Sequence, residues 1–172
     1  MGCDIHFYVE RWTSSNNYGG PRDLSDDREQ KLNEVLEDVP TKFRWVSADN
    51  WQIEDGVAAI KVWNVDWNEQ FYSDRNYYIF SILADVRNDG GVEPIDYPKG
   101  IPDDASSGYL YKCDQWDGDG HSHSFFTLEE LLNVDWSEYE SEYIDDFMKT
   151  LEKMKEIDEN TSSIRCCFFF DN

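Results

Sequence analysis

Nowhere does this 172-residue chain carry twenty consecutive apolar residues, so nothing in it reads as a membrane span. Its opening also lacks the basic segment and apolar run of a secretion signal. Gly2 does not suggest myristoylation, because His6 stands where Ser or Thr is wanted. These absences predict a soluble, cytoplasmic protein. Basic residues are scarce too: 15 Lys and Arg against 37 Asp and Glu leave a net charge of −22. Such a surface repels nucleic acid and anionic membranes, which argues against direct DNA or RNA binding. Three uses of the charge remain: solubility, recruitment of divalent cations, and mimicry of nucleic acid in another protein's groove.

Cysteine is sparse and wrongly spaced for a metal ribbon or a redox pair. Cys3, Cys113, Cys166 and Cys167 contain no CxxC, and adjacent Cys166 and Cys167 face opposite ways in an extended chain. Buried free thiols in a reducing compartment are the expectation. The chain also lacks HExxH, the glycine–lysine spacing of a P-loop, a Rossmann fingerprint and a GxSxG elbow. An EF-hand register centred on Gly120 puts Gln115 first and Phe126 twelfth, where a bidentate Glu belongs, so that calcium loop fails.

What is present is enough apolar material to fold. Hydrophobic residues make up 40% of the chain and aromatics 16%, which opposes disorder despite the charge. The pattern predicts one α+β domain over residues 1–172, with a mixed or antiparallel sheet and several packed helices. Residues 3–12 predict an interior strand. A turn-rich loop follows at 14–23, then a helix capped by Ser25 and stopped by Pro40. Short strands are predicted within 43–56 and 58–66, a helix over 75–91, and a loop-like stretch over 92–120 with a short helix after Pro102. Thr127 and Glu130 form a capping box. A long helix over 136–158, with Trp136, Tyr139, Tyr143, Phe147, Leu151 and Met154 as its apolar stripe, precedes a buried closing strand, IRCCFFFDN.

The polar residues of interest sit in two short segments. Alternation along the first strand puts Cys3, Ile5, Phe7 and Val9 on one face and Asp4, His6 and Tyr8 on the other. The other two of the three histidines lie in DGDGHSHS (117–124), where an extended backbone would bring Asp119, His121 and His123 to one side. Imidazoles with carboxylates suit a divalent metal such as zinc or manganese. Asp4, His6, Asp119, His121 and His123 are therefore the candidate ligands, provided the two segments meet. The competing readings are a packed strand histidine with a surface HSHS loop, or acid–base chemistry without metal in which an Asp orients a His.

Anionic substrates would need cations, and Arg75 and Arg87 at the ends of the predicted 75–91 helix are the best candidates, with Arg165 a third. Asp85 is placed to orient water or an arginine, so Asp85, His121 and His123 form the candidate catalytic set. Trp51 and Trp116 are candidates for stacking on a base. Pairing of these arginines with neighbouring carboxylates is the plain alternative. Asp103 and Asp104 suit capping of the short helix after Pro102, the alternative being to supplement a metal centre or hold its bound water.

The blocks MGCDIHFYVE, RNYYIFSILADVR, GIPDD and DGDGHSHSFFTLEEL resemble an uncharacterised family encoded by phages and bacteria. That resemblance implies a phage or prophage setting and interference with host defence, by removing or sequestering a nucleotide signal. Together the readings predict a metal-dependent hydrolase of a phosphoester or nucleotide-type substrate. The alternatives are a non-catalytic binder that sequesters a nucleotide, or an acidic inhibitor that binds a host defence protein.

Overall fold

The computed structural model describes residues 2–14, 43–47, 51–54, 57–60 and 71–172. The predicted loop at 14–23 from residue 15 onward, the Ser25–Pro40 helix and residues 61–66 lie outside these. Four strands form one antiparallel sheet in the order β2-β1-β6-β5: β1 (Ile5–Ser14), β2 (Phe43–Ser47), β5 (His121–Thr127) and β6 (Ile164–Phe170). β3 (Trp51–Glu54) and β4 (Val57–Ile60) pair as a separate two-stranded antiparallel sheet. The architecture is a mixed α+β arrangement, as the patterning predicts.

β6 is the hub because its residues are apolar on both sides. All seven of its positions are buried, as the unbroken IRCCFFF run requires of a strand covered on two faces. On the first face, Cys3, Ile5, Phe7, Val9, Ile164, Cys166, Phe168, Phe170 and Phe126 form the main core. Three helices cover it: α1 (Tyr77–Ala84), α3 (Leu128–Leu132) and α4 (Ser141–Lys155). Phe147 of α4 packs edge-on against Phe7 and Tyr72, at centroid separations of 6.0 and 5.2 Å. On the second face, Tyr8, Cys167 and Phe169 meet Tyr109 and Cys113 of α2 (Ser107–Gln115). The sheet is thus the middle of three layers.

Several predicted bounds shift, each for a local reason. α1 stops at Ala84 instead of running to Gly90, because Asp85 turns into the left-handed region (φ 55°) and its N–H closes onto Phe80 and Ser81. The helix of the 92–120 stretch starts at Ser107, where the Ser106 side chain accepts the Tyr109 N–H. The predicted 136–158 helix splits into a 3₁₀ turn at Trp136–Glu138 and α4, since Asp135 caps the former by accepting the Ser137 N–H. Tyr143 accordingly leaves the predicted stripe and is exposed, while Ile144 takes a buried place. The capping box forms as expected: Thr127 and Glu130 satisfy each other's backbone amides. Cys3, Cys113, Cys166 and Cys167 are free and buried.

The second layer is anchored by a buried ion network. Glu10, wholly buried, accepts from Arg165 Nε, from the Ser106 N–H at 2.6 Å and from Cys167 Sγ at 3.3 Å. Arg165 also donates to the Asp104 carboxylate at 2.7 Å and to its carbonyl at 3.1 Å. Asp104 therefore clamps the start of α2 to the sheet, and Arg165 is occupied inside the fold. Removing one member strands the other charge in a dry interior. Glu10→Ala should cost about 3–5 kcal/mol of unfolding free energy in urea denaturation. Asp104→Ala, whose carboxylate is mostly solvated, should cost about 1 kcal/mol or less. Equal losses for the two would contradict this account.

Candidate functional site at one end of the sheet

Antiparallel register decides where the two polar segments go. Ile5 of β1 and His121 of β5 both pair with Phe170 of β6, so the start of β1 and the start of β5 flank the same end of the central strand. The N-terminal pair and the histidine pair therefore do meet at one end, with Phe169 between them. The His6 ring stacks on Phe169 at 4.7 Å and 14°, and His123 stacks on Phe169 at 5.0 Å and 26°.

The partnerships at this end differ from the predicted ligand set. His6 Nε2 lies 3.0 Å from Asp171 Oδ2, and both residues are buried. Asp171 also accepts the Asp4 N–H at 2.8 Å. Asp4 itself is gripped by Arg75, whose Nε and Nη2 each donate at 2.6 Å in a two-pronged pair. That guanidinium holds the Asp4 carboxyl below its ordinary value. Arg87, in a left-handed conformation (φ 54°), donates to Asn172 at 3.3 Å. Burial pushes the Cys3 thiol up, as it does Cys113, to about 11, and Cys166, to about 12. These cysteines are protonated packing groups with little nucleophilic character.

HSHS is a strand, and a bulged one. The register slips between His121 and Ser124, with Ser122 at φ 53°. Strict alternation would have aligned His121 with His123. The extra residue instead sets His121 beside Phe170, at 6.2 Å between rings, on the main-core side, while His123 lies on Phe169 of the other face. His121 Nδ1 contacts Ser122 Oγ at 3.0 Å, and its Nε2 is buried without a hydrogen-bond partner among the described residues. The backbone passes close just before it: a Cβ at Gly120 would come within 3.2 Å of the Phe169 ring and 3.3 Å of the Trp116 carbonyl, a tight fit.

The remaining candidates lie on several elements. Trp116 lids His6, its ring centroid 4.3 Å away. Asp119 is exposed in the turn that joins α2 to β5. Asp85 is the exposed C-cap of α1, bonded to Asn88 Nδ2 at 2.6 Å. Trp51 opens β3, outside the four-stranded sheet. Among the described residues, no three His, Cys, Asp or Glu side chains form a group that could hold a metal ion. The segments converge, but Asp4 turns to Arg75 and His6 to Asp171. Sequence reasoning missed Asp171 and Asn172, because only the β1–β6 register shows that the polar end of an apolar run lands beside Asp4. No protein-family model matches the chain, and no curated protein or solved structure matches it either.

His123 is the histidine with a displaced titration: burial, then the nearby His121, hold it below its usual 6.5. Between its native value and 6.5 the unfolded chain binds more protons than the native one, so stability falls as pH drops through that window. Unfolding free energy should therefore decrease between about pH 7 and about pH 5. His123→Gln should flatten part of that slope in denaturant titrations at each pH. An unchanged slope would show that His123 ionises alike in both states.

Proposed function

We propose that the protein binds and hydrolyses a small phosphoester or nucleotide-type substrate at the polar end of the sheet. The observation that carries this reading is the gathering there of all three histidines with Arg75 and Arg87, in a chain of net charge −22. The two guanidinium groups at this end are the donors that an anionic substrate needs in so acidic a protein. Arg75 presents a fork already shaped for two oxygens, and phosphate can take the place of the solvated Asp4 carboxylate. Arg87 is exposed and donates to Asn172, next in the chain to Asp171.

His123, neutral at pH 7, is suited to accept a proton or bind a metal. The Nε2 of His121, buried on the main-core side, has no hydrogen-bond partner among the described residues. A divalent ion such as zinc or manganese taken up at His123 and completed by substrate oxygens would lower the pKa of bound water, with His121 on the opposite face of the bulged strand. Asp119 in the adjoining turn is the nearest remaining carboxylate in sequence to that pair. The buried His6–Asp171 pair fixes the first strand against the last and positions Asp4 for Arg75.

A second reading has its own support. Asp4 with Arg75 and His6 with Asp171 are already satisfied, so the same end can hold a nucleotide without cleaving it. In the phage setting that the motif resemblance implies, this would sequester a signal, and the acidic surface would serve contact with a host defence protein.

Turnover of labelled nucleotides and a chromogenic phosphoester, with zinc or manganese added to untagged protein, separates the readings. Catalysis predicts product, with loss of about 100-fold or more in the His121→Ala/His123→Ala variant. Arg75→Ala should weaken substrate binding about tenfold. Saturable binding with full recovery of intact ligand would favour sequestration. Absence of both binding and product would remove the site and leave the acidic surface as the functional feature.

A further inference from the structure

At the polar end of the sheet the opening backbone runs directly against a guanidinium. A Cβ built on Gly2 would stand 2.5 Å from Arg75 Nη1, 2.9 Å from Cζ and 3.2 Å from Nη2. No carbon sits that close to another group, so something would have to move. We propose that Gly2 is a positioning residue: its missing side chain is the seat in which the Arg75 guanidinium lies while both prongs hold Asp4. As part of an anion site, this rests on Arg75 being the phosphate-holding group of the proposed function.

The surroundings decide which group would give way. The main chain beside Gly2 is pinned. Cys3 N–H donates to the Tyr77 hydroxyl at 3.2 Å, and Asp4 N–H donates to the Asp171 carboxylate at 2.8 Å. Asp171 N–H returns a bond to the Asp4 carbonyl at 3.2 Å, and the Cys3 side chain is wholly buried. Backing away would break bonds to a packed layer. Arg75 offers far less resistance, being the end of a long side chain that is 54% exposed. An added methyl therefore shifts the guanidinium and leaves the fold as it is. Among the described glycines, Gly2 alone would set a Cβ against a charged group; Gly120 meets a ring and a carbonyl, and Gly90 only Val92 at 4.0 Å.

The shift matters because the Asp4 pair is two-pronged. Nε and Nη2 donate to different carboxylate oxygens, each at 2.6 Å, which requires the guanidinium and carboxylate to be aligned. A head pushed sideways keeps its charge but loses that alignment. Any anion that engages the fork then meets a cation of the wrong orientation, and a planar guanidinium depends on orientation where an ammonium does not. Position 2 thus controls the direction of Arg75, and Asp4 its reach.

The test is a double-mutant cycle on the whole chain: parent, Gly2→Ala, Arg75→Ala and the two together. NMR follows the titration of the Asp4 carboxyl, which the guanidinium holds below its ordinary 3.8. Gly2→Ala should raise it toward that value, as Arg75→Ala does, with the urea midpoint unchanged because the pair is solvated. With Arg75 absent, Gly2→Ala should move Asp4 no further. Gly90→Ala, which has room, should leave Asp4 as in the parent. Inorganic phosphate, titrated into the same set, should bind the Gly2→Ala variant about threefold or more weakly than the parent. In the Arg75→Ala background the same change should stay within about twofold. An Asp4 titration unmoved by Gly2→Ala, or moved equally without Arg75, would overturn the inference. If Asp4 moves and phosphate affinity does not, the seat of Arg75 stands and its assignment to substrate falls.

Discussion

The pairing of Ile5–Arg11 with Ile164–Phe170 is the constraint on which the other features rest. It puts the last strand in the middle of the sheet, where both faces must be covered, and so demands helices on two sides. IRCCFFF can accept that position because it has almost no polar side chain to desolvate, and its one charge, Arg165, is met by Glu10 and Asp104. Contacts separated by more than 150 residues are entropically late in folding, so the helices that pad β6 stabilise a sheet that local structure alone would not assemble.

The same register creates the polar end. Where the apolar run stops, Asp171 and Asn172 lie beside the opening residues, and the bulged start of β5 closes the other flank. Charge is then organised by pairing: acid with arginine at Asp4, acid with imidazole at His6, acid with arginine again at Glu10. Among the described residues, Arg165 is buried and locks α2 onto the sheet, whereas Arg75 and Arg87 are solvated.

Periodicity made several elements readable. β1 as an interior strand, the Thr127–Glu130 box and the buried closing strand follow from alternation, capping chemistry and composition, which are local properties. The end of α1 was not readable, because an aspartate in the left-handed region terminates it where the apolar spacing would continue. The break before α4 escaped for a like reason, since Asp135 caps a separate turn within an otherwise amphipathic stretch. For the candidate site, the residue types were legible and their partners were not. The bulge at Ser122 undoes the alignment of His121 with His123 that spacing alone suggests.

By itself, the sequence determined the layered α+β class, the free buried cysteines, the acidic surface and the pool of polar residues, since each follows from composition and short-range pattern. Only the tertiary structure decided that His6 would pair with Asp171, Asp4 with Arg75 and Glu10 with Arg165. Those pairings join residues 71 to 165 positions apart, and strand register, which no local rule sets, chooses among the many carboxylates available.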